Sequence, residues 1–208
     1  MSLQFLLDGL ISGAMIGLGA IGITLTYSIL RFSNFAHGDL MAWGAYAALV
    51  AVGALGALVG TMPLGPLSFG LPLIAATLFA MVFTAGLALL LDWLLFARLR
   101  ARGQAIIVVM ASFGASMALR NLLEFLFSSS PAYYSRALQI AQPVGLGIRI
   151  TPDQVALLVM TAALVTGMHL FLTRSQRGRE MRAYSQNPAL ARVTGIDVSR
   201  VVRATWII

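Results

Sequence analysis

The sequence of 208 residues contains no cysteine and no lysine, and only 10% of its residues are charged. The absence of cysteine excludes disulfides, thiolate metal sites and cysteine nucleophiles. The absence of lysine excludes a P-loop, whose phosphate-binding lysine has no substitute here, and it excludes a Schiff-base lysine. If ATP hydrolysis drives this protein, another chain must therefore carry it out.

What the chain has in excess is apolar residues, which make up 59% of it. They form continuous runs of the length that crosses a bilayer, which takes about 20 residues in a helix. We predict an all-α polytopic membrane protein with a single transmembrane domain over residues 1–208. The five complete predicted spans are residues 5–30, 40–61, 71–96, 105–127 and 153–173, and a sixth begins at Ala204.

All fourteen basic residues are arginines, and their placement predicts the orientation of the chain. Seven lie in residues 174–203 and three in residues 98–102, and an even number of predicted crossings separates the two clusters. Because arginine is enriched in cytoplasmic loops, both clusters and Arg31 are expected there, with the N-terminus outside. The opposite loops hold only Arg136 and Arg149. The net charge of +7 is attributed to this asymmetry and to anionic lipid rather than to nucleic acid.

The polar segment at residues 174–203 contains the start and stop signals of a short helix. Asn187 is placed as an N-cap, Pro188 occupies the first helical position and Gly195 follows the last. These signals predict a two-turn helix over residues 188–194 at a membrane surface. The alternative is a solvated basic loop that serves only topology.

A second polar interruption, residues 31–39, separates two apolar runs with almost no spacer. Asn34 and Asp39 are candidates to cap helix ends, and Gly38 allows a close turn. Two interpretations remain open: a tight cytoplasmic turn, or a discontinuous helix of the kind found at substrate sites in transporters. His37 with Asp39 is too sparse a pair to predict a metal site.

Two stretches resemble the permease subunits of branched-chain amino acid ABC importers. The first is residues 27–48, in which NFAHGDL from Asn34 to Leu40 is followed by GAY. The second is residues 177–201, RGREMRAYSQNPALARVTGIDVSRV, which is similar to the coupling segment of that family. The resemblance covers essentially the whole chain. Permeases of this family continue with further helices, so a sequence that stops five residues into its sixth span is expected to be partial.

The resemblance implies a permease subunit that moves branched-chain amino acids across the bacterial cytoplasmic membrane. It implies a separate ATPase subunit, a second permease subunit and a periplasmic or extracellular substrate-binding protein as partners, all working in membrane lipid. It implies no nucleic acid, no cofactor, no metal and no catalytic residue in this chain. Other amino acids, urea and short amides are alternative substrates.

Two groups of site residues follow from the resemblance. Four are assigned to the substrate pathway: Asn34, His37, Gly38 and Asp39. Six are assigned to ATPase coupling: Glu180, Arg182, Asn187, Pro188, Leu190 and Gly195. Leu190 and Val193 lie three apart on one helical face, which suits an apolar groove, and Glu180 is expected to hold a nearby arginine.

Other polar residues in the spans have structural explanations. Arg120 and Glu124 are expected to form a same-helix ion pair, since they lie four residues apart. Asp92 is expected to pair with the arginine cluster at residues 98–102. The serines and amide of the fourth span, Ser112, Ser116 and Asn121, are expected to bond across helices.

Two other functional classes are open to the sequence. An ion-coupled secondary transporter would use Asp39, Glu124 or His37 as its ion site. It has no need of the segment at residues 174–203, which favours the ABC permease. An intramembrane enzyme is remote, because no serine and histidine are arranged as nucleophile and base.

Overall fold

The structure is a computed structural model that describes residues 3–60, 64–101, 103–128, 130–134, 139–145 and 148–208. Arg102 and Arg136, which enter the orientation argument above, lie outside these ranges. The elements in order are α1 Leu3–Leu30, α2 His37–Val59, α3 Leu71–Leu91, a π-helical segment Asp92–Phe96, α4 Ala97–Arg100, α5 Ala105–Phe127, β1 Gln142–Gly145, β2 Ile148–Ile150, α6 Pro152–Arg174, α7 Gln176–Gln186, α8 Pro188–Val193 and α9 Val198–Ile207.

The all-α polytopic prediction is confirmed: within the described ranges, five helices are long and apolar enough to cross a membrane. The third of these runs without a break from Leu71 through the π segment to Arg100. Two elements were not predicted, the antiparallel hairpin β1–β2 and the helix α7. Both lie in short stretches without a strong sequence pattern for strand or helix, so contacts with distant residues decide their structure.

One boundary in the polar segment at residues 174–203 differs from the prediction. The sixth apolar helix begins at Val198, not at Ala204, because the Asp197 carboxylate caps it by accepting the Ser199 and Arg200 N–H groups. Residues 174–203 are consequently not a loop but a series of helices, α7, α8 and the start of α9. Hydropathy places a helix start where apolar residues begin, whereas capping places it one to two turns earlier.

The ends of the helices divide into two groups. At one end, Gln4 exchanges hydrogen bonds with the backbone of Arg149 at 2.9 and 3.3 Å, and Asp153 accepts the Ser68 N–H at 3.0 Å. At the other end, the Arg31 guanidinium donates to the Ser185 carbonyl. This grouping agrees with the helix directions derived from the arginine count. We call the second group the connector end, after the connector, residues 31–36, that joins α1 to α2.

The best-buried hydrophobic core lies at the connector end. Phe96 of the π segment is fully buried between two aromatic rings, Phe32 of the connector and Trp206 of α9, with both centroid distances 5.5 Å. The Phe96 and Trp206 rings are stacked within 4° of parallel. The last turn of α1, the connector, α5, α7 and α9 contribute Ile29, Leu30, Ala36, Val108, Met181 and Val201 to the same cluster.

Candidate functional site

The helix α2 begins well inside the bundle rather than level with its neighbours. The His37 ring lies against α1 at Gly22, where an added Cβ would be 2.7 Å from His37 Cε1. Gly22 is eight residues before the end of α1, which corresponds to about 12 Å along the helix. On the other side, the Phe35 N–H donates to Ser112 Oγ at 3.2 Å, seven residues into α5.

The register against α3 gives the same depth. Gly44 of α2 faces Thr84 of α3, where an added Cβ would be 2.5 Å from Thr84 Oγ1. Because α2 and α3 are antiparallel, the start of α2 is level with about residue 91, nine residues before the end of α4. Three neighbours therefore agree that α2 starts about two helical turns inside the bundle.

The connector that reaches this point is itself buried. Phe32, Asn34 and Ala36 are buried, and Arg31 has a positive φ of 59° that turns the chain out of α1. Asn34 Oδ1 accepts the Ala36 N–H at 3.1 Å, and Ser112 Oγ lies 3.3 Å from the Ser33 carbonyl. Irregular backbone at such depth requires this kind of cover by protein. The structure therefore has a connection between two antiparallel helices that lies inside the bundle, and not a break within one helix. That this segment lies on a substrate path stays a prediction.

A cavity of about 500 Å³ lies between the first turns of α2 and the second half of α5. Its lining combines charged or polar groups with aromatic and aliphatic ones. The lining residues are Phe35, Gly38, Asp39, Ala42, Trp43, Tyr46, Ser116, Leu119, Arg120, Leu123, Glu124 and Ser128.

Asp39 is the best-buried charged residue of the cavity, and its partners come from α5. Asp39 Oδ1 lies 3.5 Å from Arg120 Nε, and Asp39 Oδ2 accepts a hydrogen bond from the Ser116 hydroxyl. The expected ion pair between Arg120 and Glu124 is wrong: no contact within 4.0 Å joins them in the described chain. A same-helix pair is worth only a few tenths of a kcal/mol, so a carboxylate across the cavity outcompetes it.

Arg120 shows which surface of the bundle carries the cavity. Its side chain is 71% exposed although it lies within a membrane-spanning helix. A charged side chain facing hydrocarbon costs about 2.5–3.5 kcal/mol by insertion measurements. Arg120 lies seven residues before the end of α5, so its guanidinium is expected to reach water, the membrane interface or another protein surface rather than remain in hydrocarbon.

A second polar structure, the helices α7, α8 and α9, follows α6 at the connector end. The predicted capping of α8 is present: Asn187 Oδ1 accepts the Leu190 N–H at 3.0 Å, and Pro188 is its first residue. At the far end Gly195 has a φ of 83° and the Ile196 N–H donates to the Ala191 carbonyl at 3.1 Å. This bond is typical of a Schellman motif, which needs a left-handed residue and therefore favours glycine.

The two faces of α8 differ sharply in exposure. Ala191 is buried against the core, whereas Leu190 and Val193 are 59% and 84% exposed. Two apolar side chains thus project side by side from a helix whose opposite face is anchored. Arg192, beside them, is exposed as well.

The charged residues of α7 hold the chain reversal after α6. Arg179 donates to the Arg174 carbonyl at 2.8 Å and Arg182 to the Thr173 carbonyl at 3.5 Å, so both approach unpaired carbonyls at the end of α6. The expectation that Glu180 holds an arginine is wrong: in the described part of the chain it has no ion pair, and it accepts a hydrogen bond from Gln176 at 3.3 Å.

With this geometry in place, comparison with known proteins decides the family. Residues 5–208 match the family model for the branched-chain amino acid transport system permease component. The chain belongs to this family.

The chain is similar to named members of the permease family along nearly all its length. It is 27% identical to the high-affinity branched-chain amino acid transport system permease protein BraD of Pseudomonas aeruginosa. It is 24% identical to the permease protein LivH of Escherichia coli K12 and to that of Salmonella typhimurium. Each match covers 99% of this chain and 66% of the relative, so the chain spans just under two thirds of their length. No solved structure matches at a significant level.

In this permease-family chain, the structure brings two of the four predicted pathway residues to the cavity. Gly38 and Asp39 line it, whereas His37 turns toward α1 and Asn34 is buried in the connector. The predicted capping role of Asp39 is wrong: the N-cap position of α2 is Ala36, with no side-chain hydrogen bond.

The cavity residues that sequence reasoning did not assign to the pathway include Arg120 and Glu124. The signal that marks them is spacing: Ser116, Arg120 and Glu124 recur every four residues and therefore share one face of α5. Of the other predictions, the Asp92–Arg100 ion pair is confirmed at 2.6 Å. Asn121 bonds within its own helix, to the Met117 carbonyl, and not across helices.

Proposed function

We propose that this chain is a permease subunit of an ABC importer that moves branched-chain amino acids across the bacterial cytoplasmic membrane. Membership of the permease family and the names of BraD and LivH support the substrate class. A chain without lysine cannot supply a P-loop, so a separate ATPase subunit provides the energy. The subunit itself makes and breaks no bond and has no catalytic residue.

The observation that carries the proposal is the way α8 is presented. A short helix capped at both ends, anchored through Ala191 and projecting Leu190 and Val193, suits insertion into an apolar groove of the ATPase. Arg192 beside this pair is positioned for acidic residues on the groove rim. Asn187, Pro188 and Gly195 hold the two ends of α8, and Glu180 and Arg182 belong to α7, which leads directly into it.

A continuous set of contacts joins α8 to the cavity. The helix α9 follows the Gly195 turn, and its Trp206 stacks on Phe96, which in turn contacts Phe32 of the connector. Arg31 ties the same connector to the end of α7. The connector leads directly into Asp39, so a displacement of α8 reaches the cavity through packed rings and short helices.

Phe96 lies in the π-helical segment Asp92–Phe96, and such segments often mark functional positions in helices. Asp92 and Arg100 form their 2.6 Å ion pair across this irregularity. We propose that the segment is the point at which the third membrane helix bends during transport. The driving partner acts at α8, and the bend delivers its movement to the connector.

The remaining partners are assigned to the other surfaces. A second permease subunit, identical or homologous, faces the exposed Arg120 side of α5 and closes the pathway there. A periplasmic or extracellular binding protein docks at the opposite end, near the β1–β2 hairpin, and membrane lipid covers the remaining apolar faces. An ion-coupled transporter, the alternative, leaves α7–α9 without a role.

The test is site-specific photo-crosslinking in the intact transporter. A crosslinker at Ala189 or at Arg192 is expected to capture an ABC-type ATPase, because these positions flank Leu190 on α8. The control is Phe125, which is 84% exposed but lies on a membrane-spanning helix. Absence of the ATPase from the α8 adducts, in protein shown to be inserted, would contradict the proposal and favour the ion-coupled transporter.

Gly195→Val tests coupling as distinct from docking. A β-branched residue is strained at a φ of 83°, so the cap of α8 is lost and uptake should fall relative to ATP hydrolysis. Gly60→Val is the control, because Gly60 has the same φ of 83° and lies at the far end of α2. Equal uptake per ATP in the Gly195 variant and the wild type would rule out this role for the α8 cap.

A further inference from the structure

We infer that the cavity between α2 and α5 binds the charged head group of a zwitterionic amino acid. In this assignment Arg120 binds the substrate carboxylate, and Asp39 and Glu124 bind the ammonium group. The inference rests on the proposed function, since it specifies which groups of the permease contact the substrate.

The charges of the cavity match a zwitterion better than they match an anion, a sugar or a neutral amide. Within one cavity of about 500 Å³ the chain places one guanidinium and two carboxylates. In the described chain only Asp39 of these two carboxylates is paired with Arg120. Glu124 is left as an excess negative charge, which an ammonium group complements.

The existing ion pair leaves Arg120 able to take a second carboxylate. The contact is from Nε to Asp39 Oδ1 at 3.5 Å, longer than the 2.7–2.9 Å typical of strong charged hydrogen bonds. Arginine presents five donors in a planar fork, and the two terminal nitrogens remain for bidentate recognition of a carboxylate. The Asp39 carboxylate is held independently by the Ser116 hydroxyl, so it stays in place when Arg120 turns to the substrate.

The apolar part of the lining supplies the other half of the recognition. Phe35, Trp43, Leu119 and Leu123 line the same cavity as the charged residues. A branched aliphatic side chain buried there gains roughly 25 cal/mol per Å² of apolar surface removed from water. The cavity lining therefore offers partners both for a charged head group and for an apolar side chain.

Exchanging the signs of Asp39 and Arg120 separates head-group binding from a purely structural ion pair. In the double variant Asp39→Arg/Arg120→Asp the ion pair is re-formed with the signs exchanged. We expect the transporter to assemble with its ATPase, and leucine uptake in proteoliposomes to fall at least tenfold because the head group meets reversed charges. The matched controls are the single variants Asp39→Arg and Arg120→Asp, each of which breaks the ion pair. A structural ion pair predicts that the double variant recovers uptake relative to both single variants, whereas head-group binding predicts that it does not.

A second pair of variants keeps the test valid if the exchanged protein fails to assemble. Arg120→Lys retains the positive charge and loses the fork, whereas Arg120→Gln loses both. Head-group binding predicts that the KM of the ATP-driven step for the leucine-loaded binding protein rises in both variants, and more in Arg120→Gln. A structural role predicts instead a loss of assembly without a change in KM.

The outcomes separate this inference from the function on which it rests. If every Arg120 variant takes up leucine as fast as the wild type, the head-group assignment is overturned and the permease function is left intact. Full uptake by the Asp39→Arg/Arg120→Asp variant does the same. Uptake by the wild type that needs a proton or sodium gradient and no ATP overturns the proposed function itself, and identifies Asp39 and Glu124 as a cation site.

Discussion

The connector end and the membrane-crossing faces of this chain are built differently. Three of the four buried residues of α1, Thr26, Ile29 and Leu30, lie at its connector end, and Thr161 is the buried residue of α6. Gly9, Gly13 and Gly17 of α1 have no atom within 4 Å of an added Cβ. The chain therefore packs its core where α7 and α9 meet the membrane helices, and its long apolar faces remain exposed to the membrane.

The difference shows that packing within this chain is concentrated at one end of its helices. A packed core transmits displacement, because its side chains have few alternative arrangements. The cavity, by contrast, is lined in part by Arg120, whose side chain is 71% exposed. Stability measurements should accordingly respond to changes at the connector end and respond little to changes on the open faces.

The largest effect is expected from Phe96→Ala, which removes the ring that contacts both Phe32 and Trp206. Deleting a fully buried phenylalanine costs about 3–5 kcal/mol, since the surroundings only partly fill the space. The measurement is thermal unfolding of the protein in detergent. Phe125→Ala, at a position 84% exposed, is the comparison on an open face. Similar losses in the two variants would contradict the contrast between the two regions.

Gly178→Ala should produce the next largest effect. An added Cβ would lie 2.5 Å from Leu172 Cα and closer still to the Phe171 carbonyl, so α7 must move away from α6. We expect a loss of about 1–3 kcal/mol, the usual cost of overpacking against atoms that cannot yield. Gly167→Ala on α6 has open space around its Cβ and serves as the control in the same unfolding assay. A stable Gly178 variant would mean that the turn between α6 and α7 is looser than described.

Asn187→Ala is a smaller change that acts on α8 alone. It removes the acceptor of the Leu190 N–H, and losing an N-cap costs about 1 kcal/mol. Hydrogen exchange at residues 188–193 should accelerate while exchange in α5 stays constant. Asn187→Ser, which retains a capping oxygen, should restore most of the protection. Unchanged exchange in the alanine variant would show that packing of Ala191, not the cap, holds the helix.

The smallest effect is a pH dependence at the start of α9. Hydrogen bonds from Ser199 and Arg200 lower the pKa of Asp197 below its ordinary value of 3.8. A lowered pKa means that the cap stabilises α9 fully above about pH 4–5 and loses this contribution as the pH falls below 3.8. Amide protection of Ser199 and Arg200, corrected for intrinsic exchange, should fall in that range. Asp197→Asn caps without titrating, so a decline of the same size in that variant would exclude Asp197 as its cause.

Much of the fold could be predicted from the sequence because hydropathy reports burial in lipid directly. The five spans, the α8 caps at Asn187 and Gly195 and the Asp92–Arg100 pair all depend on residues close in sequence. The start of α9 was misplaced because its first turn is largely polar, with Ser199 and Arg200 exposed and only Val201 buried. Hydropathy therefore placed the helix later than its cap, Asp197. Helix α7 was missed because its short polar sequence is held by contacts with α1, α6 and α9.

The features of the cavity and of α8 also separate into those predicted from local sequence patterns and those decided by tertiary contacts. The sequence by itself determined that polar residues interrupt the chain at 31–39 and that α8 is a capped surface helix, since both are local patterns. Only the tertiary structure decided that Asp39 faces Arg120 rather than capping α2, and that His37 points away toward α1. Those choices depend on α2 starting about two turns inside the bundle, a depth set by packing between helices distant in sequence.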